Sequence, residues 1–115
     1  EDGLLMPEEH YLTLSNNNVT ITKEFFDKDA LIVENSGIKS VSLSKDCEPV
    51  VEVMFKAPVF GLWSAAGKGV PFVCIEPWYG RTDAIDSDGS LTAREWGNEL
   101  AGGETFTGGY RCKFL

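Results

Sequence analysis

Short apolar or alternating runs recur along this chain at intervals of about ten residues, separated by turn-forming Gly, Asn and Asp. That rhythm, with almost no helical periodicity, constrains the fold more than any other feature. Asn18-Val19-Thr20-Ile21-Thr22 and Val41-Ser42-Leu43-Ser44 alternate polar and apolar, as half-buried strands do. Ala30 to Val33 is a short continuous apolar run, and Glu34-Asn35-Ser36-Gly37 then supplies turn chemistry. Val51, Val53 and Phe55 share one face of a further strand, and Glu52, Met54 and Lys56 share the other. Pro58 to Trp63 and Val70 to Glu76 are two more apolar stretches, split by Ala65-Ala66-Gly67-Lys68-Gly69. The tail from Thr105 to Phe114 alternates loosely through Phe106, Tyr110, Cys112 and Phe114. Helix signals amount to single turns at Asp27–Ala30 and Thr92–Trp96, the second stopped by Gly97. The expectation is one all-β domain over residues 1–115, an antiparallel β-sandwich.

Composition sets the partner classes. With 43% apolar and 24% charged residues the chain is globular, and its 115 residues suffice for one core. The net charge of −8 and the lack of any Lys/Arg run argue against nucleic acid and against an anionic membrane surface. No apolar stretch reaches the ~20 residues of a membrane span. Cys47, Cys74 and Cys112 are odd in number, widely spaced and form no C-x-x-C, which fits a reducing, cytoplasmic setting. Cys74, inside Phe72-Val73-Cys74-Ile75, reads as a small buried hydrophobe.

The segment from Val70 to Arg81 carries the chemistry. Its strand is apolar on both faces and closes on a carboxylate, Glu76, which must be paired, protonated or facing a wet cleft. Pro77 confines Glu76 to extended geometry and is expected to end regular pairing. Alternation puts Phe72, Cys74 and Glu76 on one side, with Trp78 following. A fixed carboxylate beside an indole suits sugar recognition: the carboxylate takes a hydroxyl proton and the ring covers apolar C–H faces. The structural alternative pairs Glu76 with Arg81 or with strand-end amides.

Phe72-Val73-Cys74-Ile75-Glu76-Pro77-Trp78-Tyr79-Gly80 resembles the C-terminal signature of the aldose 1-epimerase (galactose mutarotase) family, in the branch encoded beside lactose-utilisation genes. Phe25-Phe26 with Asp29 to Val33, Phe60 to Ser64, and the ending from Leu100 through Gly103-Glu104-Thr105-Phe106 to Tyr110 resemble that branch too. The resemblance implies part of a galactose mutarotase-like supersandwich that interconverts α and β anomers of free hexoses without cofactor or metal. It implies Glu76 as the base that takes the anomeric hydroxyl proton. The family's acid is a histidine from an N-terminal half that has no counterpart here. The sole histidine, His10 in Glu8-Glu9-His10-Tyr11, matches no family motif and reads as a solvent-exposed residue. The chain is therefore expected to be a C-terminal portion, inactive alone, whose exposed sheet edges need the missing half, a swap or an oligomer.

Other constellations are weaker. Asp86, Asp88, Gly89 and Glu95 fall at positions three, five, six and twelve of an EF-hand pattern, but position one is Ala84 and no helix precedes it. An acidic turn with Gly89 at positive φ is the expectation, and no metal site. Asp29 is a candidate for a sugar hydroxyl or a cap on the turn at Phe26–Ala30. Arg81 is a candidate for a substrate hydroxyl, or for pairing with Asp83 or Glu76. Trp63 and Trp78 are candidate stacking platforms, and Trp96 reads as packing. The second reading is a carbohydrate-binding β-sandwich that catalyses nothing.

Overall fold

The structure is a computed structural model and describes residues 3–115. Six strands form two antiparallel sheets of three: β1 (Leu31–Glu34), β2 (Ser40–Lys45), β3 (Glu48–Phe55), β4 (Val59–Trp63), β5 (Cys74–Trp78) and β6 (Tyr110–Phe114). The orders are β1-β4-β5 and β2-β3-β6, so the short Lys56-Ala57-Pro58 link carries the chain from one sheet to the other. No α-helix occurs among the described residues. The all-β sandwich expected from the turn spacing is the architecture found.

The strand patterns account for the core. Phe55 and Val53 from β3 meet Phe60 and Leu62 from β4, with Phe26 and Ala57 completing the buried cluster. The Phe55 and Phe60 rings stand 5.3 Å apart between the sheets. Val73, Ile75 and Tyr79 pack on this cluster, as do Leu31 and Val33. Alternation therefore turns the other face of β1-β4-β5 away from the core, and that face presents Ile32, Glu34, Gly61, Trp63, Cys74, Glu76 and Trp78.

Several expectations need correction. Asn18–Thr22 forms no strand; Ser15 and Asn18 make a minimal bridge through Asn16 and Asn17 at positive φ, and the chain then runs on without a ladder partner. Val70 to Val73 precede the strand rather than open it, and pairing does not stop at Pro77. Pro77 sits opposite Phe60 and Trp78 opposite Val59. Proline is tolerated there because β5 is the free edge of its sheet. The tail does form β6, but its alternation covers little: Tyr110 and Phe114 are 67% and 84% exposed. Cys74 is half-buried rather than buried.

The β2–β3 hairpin turns on Asp46 and Cys47, both at positive φ (53° and 68°), between the paired Lys45 and Glu48. Two such residues match the mirror-image turn that suits strand twist. Gly89 lies at φ 77°, as expected. Ser87 and Asp88 accept from the amides of Gly89 and Ser90, at 3.2 and 2.8 Å, so the acidic segment is folded on its own backbone. No three potential metal-ligating side chains gather among the described residues. Nor is any helix among them long and apolar enough to cross a membrane.

Candidate functional site

The outward face of β1-β4-β5 brings the candidate residues together in register. Glu76 lies opposite Gly61, Cys74 opposite Trp63, and Trp78 opposite Val59, which in turn pairs with Glu34. The Trp78 indole N–H donates to Glu76 Oε2 at 3.3 Å. This bond fixes the carboxylate and the ring relative to each other. The ring lies across β4 directly above Gly61, where an added Cβ would come 2.9 Å from Trp78 Cζ2. Only glycine leaves room for that placement, so a residue without a side chain positions the aromatic platform. The Cys74 thiol is pushed above its ordinary pKa by burial and then by the neighbouring Glu76 carboxylate, to which it hydrogen-bonds.

Two open clefts flank this row. One, of about 310 Å³, is lined by Asp29, Trp63, Ser64 and Lys68 among others. Trp63 is half-buried with its ring 5.9 Å from Phe72, and the Ser64 hydroxyl donates to the Phe72 carbonyl at 2.8 Å. Asp29 adopts φ 80° and accepts from the Ala30 amide at 2.8 Å, so its carboxylate caps the entry to β1 at the cleft wall. The second cleft, of about 370 Å³, is lined by Glu9, Glu34, Asn35, Arg81, Glu95 and Trp96.

Arg81 is not the partner of Glu76. Its side chain, 8% exposed, forms ion pairs with Glu34 through Nη1 and with Glu95 through Nη2. Burial draws the guanidinium pKa down, but Glu34 and Glu95 more than offset this and hold it above the ordinary value. The chain turns after β5, and Arg81 reaches Glu34 on the same sheet face while Glu76 is held by Trp78. Asp83 likewise pairs with Arg94, at 2.7 Å, rather than with Arg81. Trp96 does more than pack: its indole N–H donates to Glu34 Oε2 at 2.8 Å, and its backbone sits at φ 59°. His10 is exposed.

Glu34 and Trp96 escaped sequence reasoning. Glu34 looked like the first residue of a turn; its place at the end of β1, in line with Val59 and Trp78, is a register effect that one strand cannot reveal. Tyr79 is a further surprise. Its hydroxyl donates to the Gly109 carbonyl at 3.0 Å and accepts from the Gly109 amide at 3.1 Å, anchoring the C-terminal segment.

No protein-family profile matches the chain, and neither does any curated protein. Among solved structures, it is similar to a galactose mutarotase related enzyme from Lactobacillus acidophilus, with 36% sequence identity and a TM-score of 0.76. The match covers 84% of this chain and 33% of that enzyme, so the chain spans about a third of the length of the protein it resembles. The shared stretch gives the outward face a setting: the chain carries part of the all-β, galactose mutarotase-like fold.

Proposed function

We propose that the chain is the base-bearing, C-terminal portion of an aldose 1-epimerase (galactose mutarotase) family protein, of the branch associated with lactose utilisation. The intact protein acts on free hexoses in the cytoplasm. The observation that carries this reading is the Glu76 carboxylate on the outward face of β5, fixed by the Trp78 indole N–H at 3.3 Å beside an aromatic ring. Glu76 takes the proton from the anomeric O1 as the C1–O5 bond breaks, and an acid protonates O5. Rotation about C1–C2 turns the aldehyde, and reclosure returns both protons with the opposite configuration. Trp78 supports the apolar face of the ring, with Trp63, Asp29 and Arg81 completing the surroundings. The acid and the rest of the cavity come from the N-terminal half of the protein. Because the 36% match spans only a third of the Lactobacillus enzyme, that half is a separate requirement.

The second reading, a carbohydrate-binding sandwich without catalysis, is favoured by one observation. Ring opening needs a proton donor at O5, and the sole histidine, His10, is exposed on the N-terminal segment.

Magnetisation-transfer NMR on the 115-residue chain tests both. Galactose and glucose are expected to shift the Trp78 indole ¹H–¹⁵N signal, and Glu76→Gln to weaken that response. Anomer exchange stays at its spontaneous rate. Exchange above that rate, abolished by Glu76→Gln, would instead place a proton donor inside this chain. A Trp78 signal unmoved by either sugar, with spontaneous exchange, would defeat the assignment of Glu76 and Trp78 to sugar.

A further inference from the structure

Four strands edge the two sheets, and three of them carry a feature that keeps further strands off. β1 is four residues long with its Glu34 engaged by Arg81 and Trp96, β2 has a bulge between Leu43 and Ser44, and β5 carries Pro77. β6 has no such break. Leu115 N donates to the Val50 carbonyl at 3.1 Å, so ladder alternation points the amides and carbonyls of Tyr110, Cys112 and Phe114 away from β3. Their side chains share the face on which Val53 and Phe55 are buried, yet all three are exposed. On the other face, Arg111 and Lys113 have no ion-pair partner among the described residues.

The same molecule holds a segment that lacks what β6 offers. Glu8 to Leu14 make no hydrogen bond, ion pair or ring contact among the described residues, and every one of them is exposed, Tyr11 to 96%. The segment is held at both ends, by the Leu5–Ala84 bridge before it and the Ser15–Asn18 bridge after it. That anchoring lowers the ordering cost of binding through it. In an extended chain, His10, Leu12 and Leu14 fall on one side and Glu9, Tyr11 and Thr13 on the other. Pro7 has no amide hydrogen to give, so a ladder through this segment ends there.

We infer that two copies of this chain associate by laying the Glu8–Leu14 segment of each along β6 of the other. In the antiparallel register that sets Leu14 opposite Tyr110, Leu12 faces Cys112 and His10 faces Phe114, so the exposed core row gains a cover. On the other face Thr13 opposes Arg111 and Tyr11 opposes Lys113, which puts a ring beside an ammonium with Glu9 diagonal to it. Charge selects this partner over a second β6. Antiparallel self-pairing centred on Cys112 would set Arg111 of one copy against Lys113 of the other, and like charges directly opposite are unfavourable. Two five-residue ladders fall short of a standard interface, so a Kd of about 100 µM is expected. At about 5 µM, the range of an unfolding titration, the chain stays monomeric.

Sedimentation velocity of the reduced 115-residue chain from about 5 µM to about 1 mM tests this. A shift from monomer to dimer is expected across that range. Amide signals of Glu8–Leu14 and Tyr110–Phe114 should move with concentration while those of β4 stay in place. Leu12→Asp, at an exposed position, should weaken the dimer at least about tenfold. Glu9→Lys and Lys113→Glu, both at exposed positions, should each weaken it about threefold, and combining them should restore it. Unmoved β4 amides in each variant show that it folds. A monomer at every concentration would overturn the pairing and leave β6 to a strand outside this chain. A dimer that moves the β6 amides but not Glu8–Leu14 would overturn it in favour of β6 pairing with itself. A dimer as tight in Leu12→Asp as in the parent would overturn it by placing the contact elsewhere.

Discussion

Each sheet has three antiparallel strands, but the two use their faces differently. In β1-β4-β5 one face is core, through Leu31, Val33, Phe60, Leu62 and Ile75, and the other gathers Glu34, Trp63, Glu76 and Trp78. In β2-β3-β6 the core face is covered only in part. Val53 and Phe55 are buried, yet their ladder partners on β6, Cys112 and Tyr110, are exposed. Phe114, paired with Val51 on the same face, is 84% exposed. The first sheet is finished on both sides and the second is finished on neither side of β6. The radius of gyration, 15.8 Å against about 13 Å expected for a compact chain of this length, reflects the same incompleteness. A fold that makes one sheet fully and another partly fits a chain spanning a third of the enzyme it resembles.

Substitutions of one residue type in the two regions give the largest contrast. Phe60→Ala removes a buried ring between the sheets and is expected to cost about 3–5 kcal/mol. Phe114→Ala should cost less than about 0.5 kcal/mol by the same urea titration. Equal losses would mean that β6 is covered in solution. Next comes Glu34→Gln, which keeps the shape but strips Arg81 of its more buried partner. A loss of about 2 kcal/mol is expected, with a shifted Trp96 indole signal. Gly61→Ala has a smaller expected cost, about 1–2 kcal/mol, because the Trp78 ring can swing off the added methyl. That swing breaks the bond to Glu76, so the variant should lose its sugar-dependent Trp78 shift while β2-β3-β6 amide signals stay in place.

The smallest effect belongs to the exposed Asp83–Arg94 pair. Its hydrogen bond to Arg94 holds the Asp83 carboxyl below its ordinary pKa, so the unfolded chain binds the proton more readily. The stabilisation is fully present above the ordinary aspartate range and is lost as pH falls through the lowered native value. Arg94→Gln should flatten that part of the acid-unfolding curve slightly, and added salt should do the same to the parent chain.

The sequence was legible where a pattern is local. The all-β class, the turn at Asn35–Gly37, the core face of β3, and the placement of Cys74, Glu76 and Trp78 on one side follow from alternation and turn residues. Asn18–Thr22 has the same alternation and fails, because a strand is a relation between segments and this one has no neighbour. The pairing of Arg81 was illegible for a related reason: Glu76 is nearer in sequence, but Glu34 is brought alongside by two ladders. Pro77 misled because edge position, which excuses proline, is a property of sheet order. Gly61 carried no sequence signal at all; its meaning is the ring above it.

The segment at the start of the described chain has a consequence for the order in which the molecule assembles. Leu5 bridges Ala84, through Leu5 N to the Asp83 carbonyl at 2.9 Å and Ile85 N to the Leu5 carbonyl at 3.0 Å, while Thr82 Oγ1 donates to the Gly3 carbonyl at 2.8 Å. This seam joins distant parts of the chain and can close only after the sheets between them exist, because the entropy of so long a loop must be met by contacts already made. It is held by few bonds, so it is the last part to zip and the first to fray. The loop it fastens begins one residue after Arg81, so fraying there reaches the arginine's surroundings before it touches the core.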